Sequence, residues 1–141
     1  MNKRLAIKTA AAWWVEKLRQ REPHSNGDNN PASIFACVLA DVGAEDKGLE
    51  TKLEVFRREL ESNITKRMDF LSKNRFKSMW LSCDYGPCEE LSAAADRAGI
   101  NHLAFPFKTD LLIKWDYKGE YSVKASDGYA QPYTDVMPVD G

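Results

Sequence analysis

Ser82-Cys83-Asp84-Tyr85-Gly86-Pro87-Cys88-Glu89-Glu90-Leu91 decides how the rest of the chain is read. Its first residues close the run Phe76 to Cys83, which suits a strand buried on one face and partly on the other. Asp84-Tyr85-Gly86-Pro87 turns the chain. Pro87 is placed at the first position of a helix with Gly86 as its cap, since a missing N–H costs nothing there. Glu89 and Glu90 then lie in the first turn, where the helix dipole favours them. Leu91, Ala94, Ala95 and Ala98 make a narrow apolar stripe, and Gly99 ends it. So many alanines predict close approach to a layer beneath, most simply a sheet.

Downstream, residues 100 to 108 read as a loop containing Phe105-Pro106-Phe107. Leu111, Ile113, Trp115 and Tyr117 alternate with Leu112, Lys114 and Asp116, the pattern of a strand with one apolar face. Lys118-Gly119 reads as a two-residue turn. Tyr121, Val123 and Ala125 continue as a second strand that Asp127-Gly128 closes. The tail, 129 to 141, holds Pro132 and Pro138 and reads as irregular.

Upstream, the strongest period in the chain runs from about 47 to 73. Leu49, Leu53, Phe56, Leu60, Ile64, Met68 and Leu71 step by three or four, a long amphipathic helix. Its charged face interleaves both signs and suits local ion pairs. Its length also suits pairing with a second copy, so a homo-oligomer stays open. Before it, Asn30 caps a short helix with Pro31 at its first position and Gly43 at its end. Ser25 to Asn30 is a polar turn cluster without the spacing of a calcium loop. Residues 3 to 21 form a first helix with Ile7, Ala10, Ala11, Trp14 and Leu18 on one side, stopped by Pro23.

The expected fold is α+β in a single domain, 1 to 141. Three N-terminal helices precede a β-α-β-β unit that forms a small sheet covered by helices. The strand-helix-strand portion is expected to be a right-handed crossover.

Composition excludes several classes. The chain has 141 residues, 43% of them hydrophobic and 29% charged, with a net charge of -1. That balance is neither the basic excess of a duplex-DNA binder nor the acidity of a DNA mimic. No apolar run has the length of a membrane span, and no secretory signal is visible. Three cysteines at irregular spacing point to reduced thiols in a cytoplasmic protein. Charge is uneven along the chain. The first 22 residues hold Lys3, Arg4, Lys8, Lys17, Arg19 and Arg21 against Glu16 and Glu22, which reads as a solvated helix face or a local basic surface.

The chemistry-bearing residues point to binding. Cys83 and Cys88 are spaced C-x4-C, which is neither the redox nor the zinc-ribbon pattern, so no metal and no cofactor are expected. Cys88 near a helix N-terminus would have a lowered pKa, and His102 is the nearest base in sequence. No arginine completes a phosphate-binding cysteine loop, and no catalytic residue is assigned. Free amides after Pro87, with Tyr85 to stack and Lys108 as counter-charge, could hold a small nucleotide-like anion. Alternatively Tyr85, Phe105 and Phe107 only close the sheet edge. The aromatics in turns and ends suit a protein interface instead. The candidate binding residues are Asp84, Tyr85, Gly86, Pro87, Cys88, Phe105, Phe107, Lys108, Tyr129 and Tyr133.

Several segments together carry a resemblance: Trp13-Trp14, Asn26-Gly27-Asp28, Cys83 to Pro87, Ala98-Gly99-Ile100, Phe105 to Thr109 and Asp127 to Ala130. In these the chain resembles a group of small proteins of prophages and mobile elements. The resemblance implies an accessory or anti-defence role, such as inhibition of a CRISPR-Cas effector or capture of a signalling nucleotide. Its expected partner is a host protein or protein complex.

Overall fold

The computed structural model describes residues 1–19, 46–127 and 132–139, with the side chains of 46, 47 and 127 left aside. The expected short helix with Cys37, the polar turn before it, the stop at Pro23 and Tyr129 lie outside the described residues. The elements are α1 (Lys3–Arg19), α2 (Asp46–Lys73), β1 (Ser78–Cys83), α3 (Glu89–Ala98), a 3-10 turn (His102–Ala104), β2 (Thr109–Trp115), β3 (Tyr121–Asp127) and β4 (Thr134–Asp135). The class is α+β, and the sheet is wholly antiparallel in the order β1-β2-β3-β4.

That topology corrects the expected crossover. A crossover joins parallel strands, but β1 and β2 are antiparallel neighbours with Leu81 opposite Leu111. The chain therefore leaves β1, runs through α3 and returns beside the strand it left.

The sheet buries one face. Met79, Leu81 and Cys83 on β1, Thr109, Leu111 and Ile113 on β2, and Val123 and Ala125 on β3 all lie in the core. This is the period-2 rule acting on three strands at once. Helices cover that face. Leu53, Phe56, Leu60, Ile64, Met68 and Leu71 of α2 are buried, with Leu49 partly so, as their spacing predicts. Leu91, Ala94, Ala95 and Ala98 of α3 are buried as well. From α1 come Ile7, Ala10, Ala11, Trp14 and Leu18. Of the adjacent tryptophans, Trp14 enters the core while Trp13 packs at its edge, with ring centroids 5.1 Å apart and nearly perpendicular. The Trp14 Nε1 is buried and has no hydrogen-bond partner among the described residues.

Three boundaries differ from expectation, each for a local reason. The cap of α3 is Cys88, in extended conformation, and not Gly86. Pro87 lies opposite Cys83 in an isolated bridge, and the Cys88 amide donates to the Ser82 carbonyl at 2.9 Å, so the turn closes back on β1 before the helix begins. The β2–β3 connection spans residues 116 to 120, because the Asp116 side chain accepts from the amides of Lys118 and Glu120. Gly119 takes φ 86 there, and Tyr117 belongs to this turn, exposed. The tail is not wholly irregular, since Thr134 and Asp135 pair with Ala125 and Lys124. Beyond them the Val136 amide donates to the Val123 carbonyl, and the Val139 amide donates to Thr9 Oγ1 at 3.2 Å, which ties the tail to α1. Gly99 ends α3 as predicted, at φ 74.

Candidate interface at the sheet end and its open face

The turn at Asp84 and the loop at Phe107 meet at one end of the sheet because β1 stops where β2 starts, with Cys83 opposite Thr109. The Lys108 amide donates to the Asp84 carbonyl at 3.1 Å, and the Lys108 ammonium pairs with the Asp84 carboxylate. The same ammonium lies 4.2 Å from the centre of the Tyr85 ring, a cation–π distance. The Tyr85 and Phe107 rings sit 6.5 Å apart and tilted. Lys108 holds this position with φ 57, a left-handed conformation that costs a non-glycine residue on the order of 1 kcal/mol. Thr109 supports the loop by donating from Oγ1 to the Phe107 carbonyl. Tyr85 is 72% exposed and Phe107 53% exposed. Two loops thus assemble an exposed aromatic pair with a cation against the Tyr85 ring.

Among the sequence-predicted residues, Asp84, Tyr85, Gly86, Phe107 and Lys108 come together at this rim. Pro87 and Cys88 lie just behind it, half-buried. Phe105 does not belong to it. That residue is fully buried, with its ring centroid 5.8 Å from both Trp14 and Phe56, so it is a core residue. The 3-10 turn explains the separation, since the Phe105 amide bonds back to His102 and points the side chain inward.

Tyr133 is elsewhere, on the other face of the sheet. Its ring meets Trp80 at 5.8 Å, edge to face, and its hydroxyl donates to Asp110 Oδ2 at 3.3 Å. Burial first, and then the Asp110 carboxylate, push the Tyr133 phenol above its usual pKa. This face has no helix among the described residues. It carries Trp80, Leu112, Lys124 and Asp135 in one cross-strand row, and Ser82, Asp110 and Ser126 in the next. Trp80 is 49% exposed and Tyr133 41% exposed. Asp110 sits opposite Ser82, two residues from Asp84 and from Lys108, so the open face runs directly into the rim. Sequence reasoning missed Trp80 and Leu112. Their signal was present: alternation puts both opposite Met79 and Ile113, on a face for which no cover had been identified.

Neither of the two described thiols is poised for reaction. Cys83 is buried, and burial pushes the half-buried Cys88 thiol up, with the Leu91 amide offsetting part of the effect. Desolvation therefore outweighs the expected lowering by the helix dipole. His102 pairs through Nε2 with Asp96 Oδ1 at 2.8 Å, near the far end of α3 from Cys88. Asp96 is eight positions on from Cys88, which puts roughly 12 Å of helix between the expected base and the thiol. Among the described residues no three histidine, cysteine or carboxylate side chains gather as metal ligands, and no helix is long and apolar enough to cross a membrane. No protein-family model matches the chain, and no curated protein matches it.

Proposed function

We propose that this chain is a non-enzymatic binding protein that engages another protein through the rim of Tyr85, Phe107 and Lys108 together with the open face around Trp80 and Tyr133. The observation that carries this reading is the set of four large exposed aromatics, one pair at the rim and one on the open face, each beside charged groups. Aromatic side chains give much contact area for little lost side-chain freedom and are the usual anchors of interfaces. The rim is also pre-organised, because Lys108 is already tied to Asp84 by backbone and side chain. The partner suggested by the resemblance to mobile-element proteins is a host defence effector such as a CRISPR-Cas complex. The surface rests on geometry and the partner on resemblance.

The alternative, a small anion held at the start of α3 by Lys108, is less favoured. The Lys108 ammonium is paired with Asp84, and Glu89 and Glu90 stand in the first turn of the helix.

The test is affinity capture from host lysate with the wild-type chain and with Tyr85→Ala/Phe107→Ala. Both side chains are exposed, so the double variant is expected to fold and to lose the captured protein. A folded double variant that retains the same partner, and a Trp80→Ala/Tyr133→Ala variant that also retains it, would remove this surface from consideration.

A further inference from the structure

The α1–α2 seam is pinned at both ends by ion pairs between the helices. Lys3 Nζ meets Asp69 Oδ1 at 2.6 Å, and Arg19 meets Glu50 through two bonds of 2.8 and 2.9 Å. Between these pins the seam opens into a groove of about 520 Å³ lined by Lys3, Arg4, Lys8, Arg58, Glu61 and Ser62, among others. Its charge is unbalanced. Glu61, its one carboxylate, is already bonded to Arg57 at 2.5 Å. Arg4, Lys8 and Arg58 make no ion pair with any described residue. Arg4 and Lys8 are one helical turn apart on α1, about 6 Å along its axis, so they project in register. Arg58 faces them from α2. Like charges gathered along a seam oppose helix packing unless an anion joins them. Arg57, the neighbour of Arg58 on α2, is by contrast matched by Glu54 and Glu61.

We infer that this groove binds the sugar–phosphate backbone of a single-stranded nucleic acid through Arg4, Lys8 and Arg58. Two guanidinium groups, an ammonium and the Ser62 hydroxyl offer more donors than the two oxygens of a carboxylate use, but suit a phosphate or a row of phosphates. The groove is shallow and open, its floor made by Ile7 and the aliphatic stems of the basic side chains, and it has no aromatic wall. A small phosphorylated ligand would find little to bury its remaining surface, whereas an extended strand needs only its backbone to be tracked. Duplex DNA is disfavoured by the net charge of -1, because a duplex rewards a broad basic face. With no aromatic in the groove, the binding is expected to be indifferent to sequence.

The test is fluorescence anisotropy with a labelled 20-nucleotide single-stranded DNA of mixed sequence, read from 50 to 200 mM salt. Three phosphate contacts give a log–log slope of about -2, so affinity should fall roughly 20-fold over that range. Arg4→Glu and Arg58→Glu should each abolish binding, and Arg4→Gln and Arg58→Gln should weaken it and flatten the salt slope. Both arginines are exposed, so circular dichroism is expected to show intact folds. Lys66→Glu makes the same charge change on α2, in a separate groove beside Glu89 and Glu90, and should leave binding intact. Equal loss with Lys66→Glu would reduce the effect to net charge and overturn the proposal. Absence of binding at 50 mM salt would overturn it as well. So would a rise in melting temperature with tripolyphosphate or ATP in a protein that ignores the oligonucleotide, since the groove would then be a small-phosphate site. Loss of the captured protein partner in Arg58→Glu without oligonucleotide binding would overturn it in favour of an acidic protein surface.

Discussion

The two faces of the sheet are written by the same alternation and differ in what lies against them. Met79, Leu81, Leu111, Ile113 and Val123 look toward three helices and are buried. Trp80, Leu112 and Lys124, one residue out of phase, look toward no helix among the described residues, with Tyr133 laid across Trp80. Burial on the first face is what the helices supply. Apolar side chains on the second are only partly shielded, by each other and by the β4 segment. A four-stranded sheet needs one covered face to be stable, and a second face rich in aromatics is surplus to that need. The same contrast repeats within three residues at the sheet end, where Phe105 is in the core and Phe107 is at the rim.

The largest effect is expected from that pair of phenylalanines. Phe105→Ala removes the ring that packs against both Trp14 and Phe56, and a buried phenylalanine truncated to alanine typically costs about 3–5 kcal/mol. Phe107→Ala should cost under about 1 kcal/mol, since half of that side chain already meets water and it touches Tyr85 at the rim. Urea unfolding of the two variants measures both. Equal losses would mean that the rim is a second core and that the contrast between buried and offered aromatics does not hold.

A smaller effect separates the faces at β4. Tyr133→Ala deletes an edge-to-face contact with Trp80 and the hydroxyl bond to Asp110. Aromatic pairs contribute about 0.5–1.5 kcal/mol, and the exposure of both rings favours the lower end. Tyr133→Phe keeps the ring and should recover most of that loss. A Tyr133→Ala cost as large as that of Phe105→Ala would show that the open face is a stabilising layer in its own right.

Where a regular period was present, the sequence was a sufficient guide. The α2 stripe, the alanine face of α3, the Gly99 stop and the buried residues of β2 and β3 each follow from spacing, because a buried face imposes one repeat on every turn or pleat. The strand pairing was not legible in the same way. Parallel or antiparallel placement of β1 beside β2 depends on where α3 returns the chain, and neither strand encodes that. Phe105 and Phe107 could not be told apart because an irregular loop has no period, and a 3-10 turn of three residues decides which ring enters the core. The helix start was misplaced by two residues, with Cys88 and not Gly86 as the cap, because the bridge of Pro87 to Cys83 is a tertiary contact. The basic residues of α1 were visible from the start. Their groove became visible only when Arg58 was brought across from α2.

The smallest expected effect concerns the pins of the α1–α2 seam, which hold two helices that also share the core. Hydrogen bonding from Arg19 lowers the pKa of Glu50, and hydrogen bonding from Lys3 lowers that of Asp69. A carboxyl group whose folded pKa lies below its unfolded value stabilises the fold above the unfolded value, about 4 for these groups, and loses that contribution as the pH falls through the folded one. The melting temperature should therefore drop below pH 4, and part of the drop should vanish in Glu50→Gln/Asp69→Asn, which lacks both pairs across the seam. All four side chains are well exposed, so salt should shrink the difference between wild type and variant at pH 7. The seam between the pins should respond in the opposite sense. Arg4, Lys8 and Arg58 repel one another, so added salt should stabilise that region even as it weakens the ion pairs at its ends. A Glu50→Gln/Asp69→Asn protein that gains stability with salt would thus report the unbalanced charge of the groove, and one indifferent to salt would mean that the three cations are too far apart to act on a common ligand.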